Sequence, residues 1–202
     1  MNRQLQRIRQ SIIAEFGNSC ERCLSEISTV LYWILDPSDD RPTNDPAYAQ
    51  ILYHPLPKCL EINNPAYTIM LFAALDKCLL SKTKNVEKCE GVIFCPGALA
   101  VTAWWIELKM NMTMRLKRRD GQLQTMTLGC EVQKAVNQIL SSRQNLRSRV
   151  ASLHECKDRG HIGIPSNLEK RRGASPHINQ LIRRTQKEQG ITITIGSKLT
   201  LK

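Results

Sequence analysis

The chain has 202 residues, 42% of them apolar and 23% charged, a balance that excludes wholesale disorder and allows one domain with a true core or two small lobes. Its formal charge of +11 is lopsided: residues 1–101 carry 10 Lys and Arg against 11 Asp and Glu, and residues 102–202 carry 19 against 7. Such an asymmetry points to a nucleic acid or an acidic membrane as partner.

The opening segment, Met1–Ile13, is basic and amphipathic and lacks the apolar core of a secretory signal. The longest apolar stretch, Ala66–Leu80, is interrupted by Asp76 and Lys77 and is too short to span a bilayer. The expected location is therefore cytoplasmic or nuclear, not secreted, with membrane contact at most peripheral. The eight cysteines are expected as reduced thiols rather than a disulfide framework.

In chain order, residues 2–15 predict a basic helix ended by Gly17-Asn18. Ser19 then caps a second helix whose stripe is Cys20, Cys23, Leu24, Ile27, Leu31 and Ile34, closed by Asp36-Pro37. Residues 36–47 are acidic and proline-rich and read as an exposed loop. A short turn or helix follows through Tyr53. Asn64-Pro65 predicts the start of a central core helix over 66–80, because an Asn cap precedes Pro at the first helical position. Residues 81–90 read as a polar linker.

After Gly91 the period changes. Ile106, Leu108, Met110, Met112, Met114 and Leu116 alternate with polar residues and predict a strand. Asp120-Gly121 signals a hairpin, and Leu123, Met126 and Leu128 mark the returning strand. A long helix is expected from Glu131 to Leu153, with Val132, Val136, Ile139 and Leu146 on its apolar face. Residues 157–174 read as a basic loop. Ser175-Pro176 opens a helix closed by Gly190, and ITITIGSKLTLK predicts a terminal hairpin turning at Gly196-Ser197. The expected class is α+β: a helical N-terminal half, a β-hairpin followed by a long helix, a C-terminal helix and a terminal β-hairpin. Two regions follow from the charge: residues 1–90, mostly helical and near-neutral, for interaction, and residues 91–202, basic, for polyanion binding.

The basic clusters are the most informative chemistry. They are Arg115, Lys117, Arg118 and Arg119 at the hairpin tip; Arg143, Arg147 and Arg149 on the long helix; Lys157 and Arg159; Lys170, Arg171 and Arg172 in the loop; and Arg183, Arg184 and Lys187 on the last helix. Arginine predominates, which suits bidentate phosphate contact. Aromatic residues are only 5%, which argues for backbone tracking over base stacking. Cys20-x-x-Cys23 has the spacing of a half zinc site, with Cys156 and His161 as distant candidates for the other half. The same two cysteines also fall on an apolar stripe, where thiols pack as small hydrophobes. No cofactor other than zinc is suggested. Adjacent Trp104 and Trp105 would face opposite sides of a strand, one in the core and one at an edge or membrane interface. Tyr53-His54-Pro55-Leu56 fits the YxxL pattern of a short recruitment motif. There is no GxSxG, P-loop, GxGxxG or HExxH, so the expectation is a non-catalytic binding protein.

From Trp105 to Leu153, a methionine-rich strand, a basic turn, a second strand and a long helix resemble the opening of the globular domain in rhabdovirus-type matrix proteins. That resemblance implies a small, basic, non-enzymatic protein bridging ribonucleoprotein and acidic membrane. The first reading is thus an RNA- or ribonucleoprotein-binding protein, viral matrix-like, that self-associates into a homo-oligomer. Two alternatives stand beside it: a protein–protein adaptor or viral antagonist of host proteins acting through residues 36–58, and a small zinc-binding regulator.

Overall fold

The computed structural model describes residues 2–35, 48–56, 58–83, 87–110, 121–172 and 175–201. Helices and mixed sheets make it an α+β fold. Strands begin early, however, rather than following a helical half.

The first helix, α1 (Arg3–Phe16), is capped by the Asn2 side chain and buries Leu5, Ile8 and Ile12. The second helix expected over 19–34 is not formed. A short 3-10 helix, Asn18–Cys23, gives way to strands β1 (Leu24–Ile27) and β2 (Leu31–Leu35). The apolar spacing fits a helix, but Ile27, Val30 and Ile34 are β-branched and pack equally well on a sheet. The helix expected over 66–80 is replaced by β5 (Met70–Ala74) and a wide turn, Leu75–Leu79, in which Lys77 is left-handed at φ 54°. All five β5 residues are buried, and a strand covered on both faces has no alternation to betray it. The turn or helix expected near Tyr53 is instead strand β3 (Gln50–Leu52), followed by β4 (Cys59–Asn63).

Strands β6 (Gly91–Cys95) and β7 (Thr102–Leu108) form the next antiparallel pair. The alternation read through Leu116 runs beyond β7 into residues outside the described ones. From Gly121 the chain is helical: α2 (Gly121–Arg149) occupies the place of the expected returning strand and ends before Leu153. The basic loop expected over 157–174 holds a central strand, β8 (Lys157–Gly163), and α3 (Ser166–Arg172). Helix α4 (Pro176–Gln189) begins and ends where its Pro and left-handed Gly190 predict. β9 (Thr192–Gly196) and β10 (Lys198–Thr200) are strands, as the alternation predicts, but they form no hairpin. Each pairs in parallel with a different sheet.

The large sheet has the order β1-β5-β6-β7-β8-β9; β1 to β7 are antiparallel neighbours, while β7, β8 and β9 run parallel. Parallel neighbours need a crossover, supplied by α2 and then by α3 with α4. The small sheet has the order β10-β4-β2-β3. Two glycines of β8 locate the layers. A Cβ at Gly160 would lie 3.4 Å from Ile139 of α2, whereas one at Gly163, on the opposite face, would lie 3.5 Å from Leu60 of β4. Helices thus cover one face of the large sheet and the small sheet covers the other. Trp105, Phe72, Phe94, Tyr32, Ile34 and Leu60 are fully buried in the core this creates. No helix of the described residues is long and apolar enough to cross a membrane.

The cysteines depart from the expectation of reduced thiols. Cys23 and Cys78 form a disulfide that ties the 3-10 helix to the turn after β5.

Candidate polyanion-binding face

Helix α4 presents the clearest basic surface among the described residues. Ile178 and Thr185 are buried and Leu181 and Ile182 half-buried, so this stripe turns the rest of the helix outward. Pro176, Asn179, Gln180, Arg183, Arg184, Lys187 and Glu188 line a shallow groove there. Asn179, Arg183 and Lys187 follow at i, i+4 spacing and form one row along the helix. Arg184 Nε meets Glu188 Oε1 at 2.8 Å, an exposed pair worth little energetically. Arg183 and Lys187 join no ion pair among the described residues.

The arginines of α2 are employed differently. Arg143 Nε and Arg147 Nη2 both bond to the Asp158 carboxylate of β8, the latter at 3.1 Å, and Arg147 also donates to the Cys156 carbonyl at 2.7 Å. Trp105 Nε1 donates to the other Asp158 oxygen at 3.0 Å. Asp158 is 3% exposed, and the two arginines 22% and 18%. This node fastens α2 to β7 and β8 and leaves those guanidiniums little to offer a ligand. Arg149 bonds to Glu15 at 2.8 Å and lies over Phe16, clamping α2 to α1. Lys157 is exposed, and Arg159 stacks 5.2 Å from the Trp104 ring centre. Arg115, Lys117, Arg118 and Arg119 lie outside the described residues, as do the side chains of Lys170, Arg171 and Arg172.

Both tryptophans are buried, Trp104 at 3% and Trp105 at 0%, so neither serves as an edge or interfacial anchor. The buried faces of a two-layer sheet accommodate both sides of β7 at once. Tyr53 and Leu56 of the YxxL segment are exposed, at 62% and 43%.

The four zinc candidates are not gathered at one place. Cys23 is committed to its disulfide, which leaves it no thiolate for a metal. Cys20 is buried, its sulfur 3.9 Å from the Ile12 carbonyl. Cys156 is buried beneath α2, and burial pushes its thiol up to about 11. His161 is buried in β8, with Nδ1 2.8 Å from Thr194 Oγ1 and Nε2 3.2 Å from the Gly196 carbonyl. Among the described residues, no three His, Cys, Asp or Glu side chains form a metal-binding group.

Sequence reasoning passed over a buried polar cluster under α2. Glu107 and Lys109 read as the outward half of an alternating strand, yet Glu107 is 1% exposed. The signal available was the Glu-x-Lys spacing, which sets a carboxylate and an amine on one strand face. No family model, curated protein or solved structure matches this chain.

Proposed function

We propose that the chain binds the phosphate backbone of a nucleic acid, RNA in the first place, through the outer face of α4. The carrying observation is the row of Arg183 and Lys187, exposed and one helical turn apart, with Arg184 beside them. One turn spans roughly 6 Å, close to the reach between neighbouring phosphates on one strand. Asn179 and Gln180 supply neutral donors in the same groove. Among the described residues lining this groove none is aromatic, which favours backbone contact over base stacking at this site.

A filter-binding or anisotropy titration across a salt series tests the reading. Each phosphate contact contributes about 0.7–0.9 to the slope of log K against log salt. Arg183→Ala with Lys187→Ala should therefore flatten the slope by roughly 1.4–1.8 and weaken binding on any sequence. An unchanged slope, or no RNA binding by the wild type near physiological salt, sinks the proposal. Preferential binding to anionic vesicles over RNA would transfer the face to a matrix-like, membrane-peripheral role. The exposure of Tyr53 and Leu56 favours a second reading, in which this segment is bound by a partner protein. A peptide spanning 48–58 that competes for such a partner would support it.

A further inference from the structure

Large apolar side chains stand out at one end of the small sheet. Leu31, the first residue of β2, lies opposite Asn63, the last of β4, and Trp33 lies opposite Leu52, the last of β3. The start of β2 is therefore flanked by the ends of β3 and β4, and the chain leaves those ends through Tyr53 and through the turn at 64–69. Leu31 is 40% exposed, Tyr53 62%, Tyr67 69% and Ile69 38%. Segments 27–35, 51–56 and 62–69, which build this end, contain no Asp, Glu, Lys or Arg in a chain that is 23% charged.

The turn is actively held. Tyr67 sits in the left-handed region at φ 52°, which an aromatic residue adopts only where its surroundings impose it. Asn64, 2% exposed, imposes it. Its backbone N–H donates to the Val30 carbonyl at 2.6 Å, and its Nδ2 donates to the Thr29 and Thr68 carbonyls at 3.2 and 3.0 Å. The Tyr67 N–H donates in turn to the Asn64 carbonyl at 3.2 Å. One buried amide thus ties the turn to the strand entry and holds a strained tyrosine out in solvent. Glycine would take the same backbone without that strain, so packing alone does not call for a tyrosine here.

We infer that this end of the small sheet is the contact surface of a homodimer, its occupant a second copy of the chain related by a two-fold axis. In such a contact each surface meets its own kind. A lysine or glutamate set against its like is repelled. Tyrosine and threonine hydroxyls and the asparagine amide both donate and accept, so they pair with themselves. Charge selects the same face at long range. With +11 on each copy, approach is opposed wherever residues 102–202 of the two face each other, and opposed least where two uncharged ends meet. An acidic partner would be steered to α4 instead. α4 packs with α2 on the opposite side of the large sheet from the small one, so pairing through this end leaves both α4 faces open. The inference does not rest on the α4 reading.

Size sets the strength. At about 200 Å² per aromatic side chain, the exposed fractions of Tyr53 and Tyr67 together offer roughly 250 Å². Leu31 and Ile69 bring the patch to the several hundred Å² that mark an interaction site, still below the ~800 Å² per partner of a standard interface. The dimer is therefore reversible, with a dissociation constant in the micromolar range.

Sedimentation velocity of the full chain, from low micromolar to several hundred micromolar, should show a monomer passing into a dimer. Tyr67→Gly should raise the dissociation constant about tenfold, as loss of an anchoring tyrosine does. It should also leave the thermal midpoint of the dilute monomer unchanged or higher, because glycine relieves the left-handed strain; a tyrosine serving the fold alone would lower it. Tyr53→Ser, with no strain to relieve, should weaken the dimer to a similar degree, its folding checked by circular dichroism. Added salt should preserve or strengthen the dimer by screening like charges while it weakens RNA binding, so the two activities separate. A wild type that stays monomeric throughout overturns the inference, and so does a dimer that both variants leave intact. A monomeric wild type that partitions onto neutral phosphatidylcholine vesicles through the two tyrosines gives this face to a lipid surface and overturns it as well. Dimerisation without any RNA binding overturns the α4 reading alone.

Discussion

Asp158→Ala should be among the most damaging single substitutions in the chain. Its carboxylate, 3% exposed, accepts from Trp105, Arg143 and Arg147 at once. Removing it leaves two guanidiniums, 22% and 18% exposed, facing each other with no anion between, and an indole N–H without its partner. Breaking a buried pair from one side costs about 3–5 kcal/mol. Each kcal/mol lowers the midpoint of a domain this size by about 2–4 °C, so a fall on the order of 10 °C is expected in thermal denaturation. Replacing all three charges together, Asp158→Ala with Arg143→Met and Arg147→Met, should recover most of the loss, since the apolar side chains fill the space without uncompensated charge. The arginine pair changed alone should lower stability yet leave the salt slope of RNA binding where it was. A midpoint within about 2 °C of wild type for Asp158→Ala, or a flattened slope for the arginine pair, would refute the assignment of these side chains to structure.

Gly91→Ala should cost about 1–3 kcal/mol, because its Cβ would come 2.5 Å from Phe72 Cε2 and 2.9 Å from the Ala73 carbonyl oxygen; urea denaturation reads this directly. Cys23→Ser with Cys78→Ser should destabilise by up to about 4 kcal/mol in the chain-entropy account, given the 55-residue separation, and mild reduction of the wild type should give the same loss. Native-state alkylation followed by mass spectrometry should modify exposed Cys130 first. Burial pushes Cys95 up to about 12 and raises Cys89 further, so little thiolate exists at neutral pH, and their labelling should grow only as pH rises or the fold opens.

What the sequence discloses and what it hides have physical causes. Terminal signals were legible: Ser175-Pro176 and Gly190 bound α4, and the Gly17-Asn18 break ends α1, because such positions are decided by local backbone chemistry. The run from Met70 to Leu80 was not, since a strand sandwiched between two layers is apolar on both sides and resembles a buried helix. The ITITIGSKLTLK segment shows its strands plainly but not their partners, which lie 30 or more residues away in β8 and about 135 away in β4. The same limit hid the buried polar cluster under α2. Glu107 and Lys109 are two residues apart, yet their setting depends on Gln138 from a helix 29 residues after Lys109. Charge counting found the α4 row, and it also counted Arg143 and Arg147, whose charge is spent on Asp158.

The parallel pairing of β10 with β4 has a consequence for biosynthesis. Residues 59–63 emerge from the ribosome well before residues 198–200, by on the order of 10 s at ordinary elongation rates. Throughout that interval the outer edge of β4 offers unpaired backbone groups beside the apolar Leu60 and Ile62. An open edge of this kind templates association with other chains. The nascent protein therefore passes through a window in which its own late strand competes with strangers for one edge. Shortening that window, or shielding β4 with a holdase, should raise the soluble yield more than any stabilisation of the finished fold.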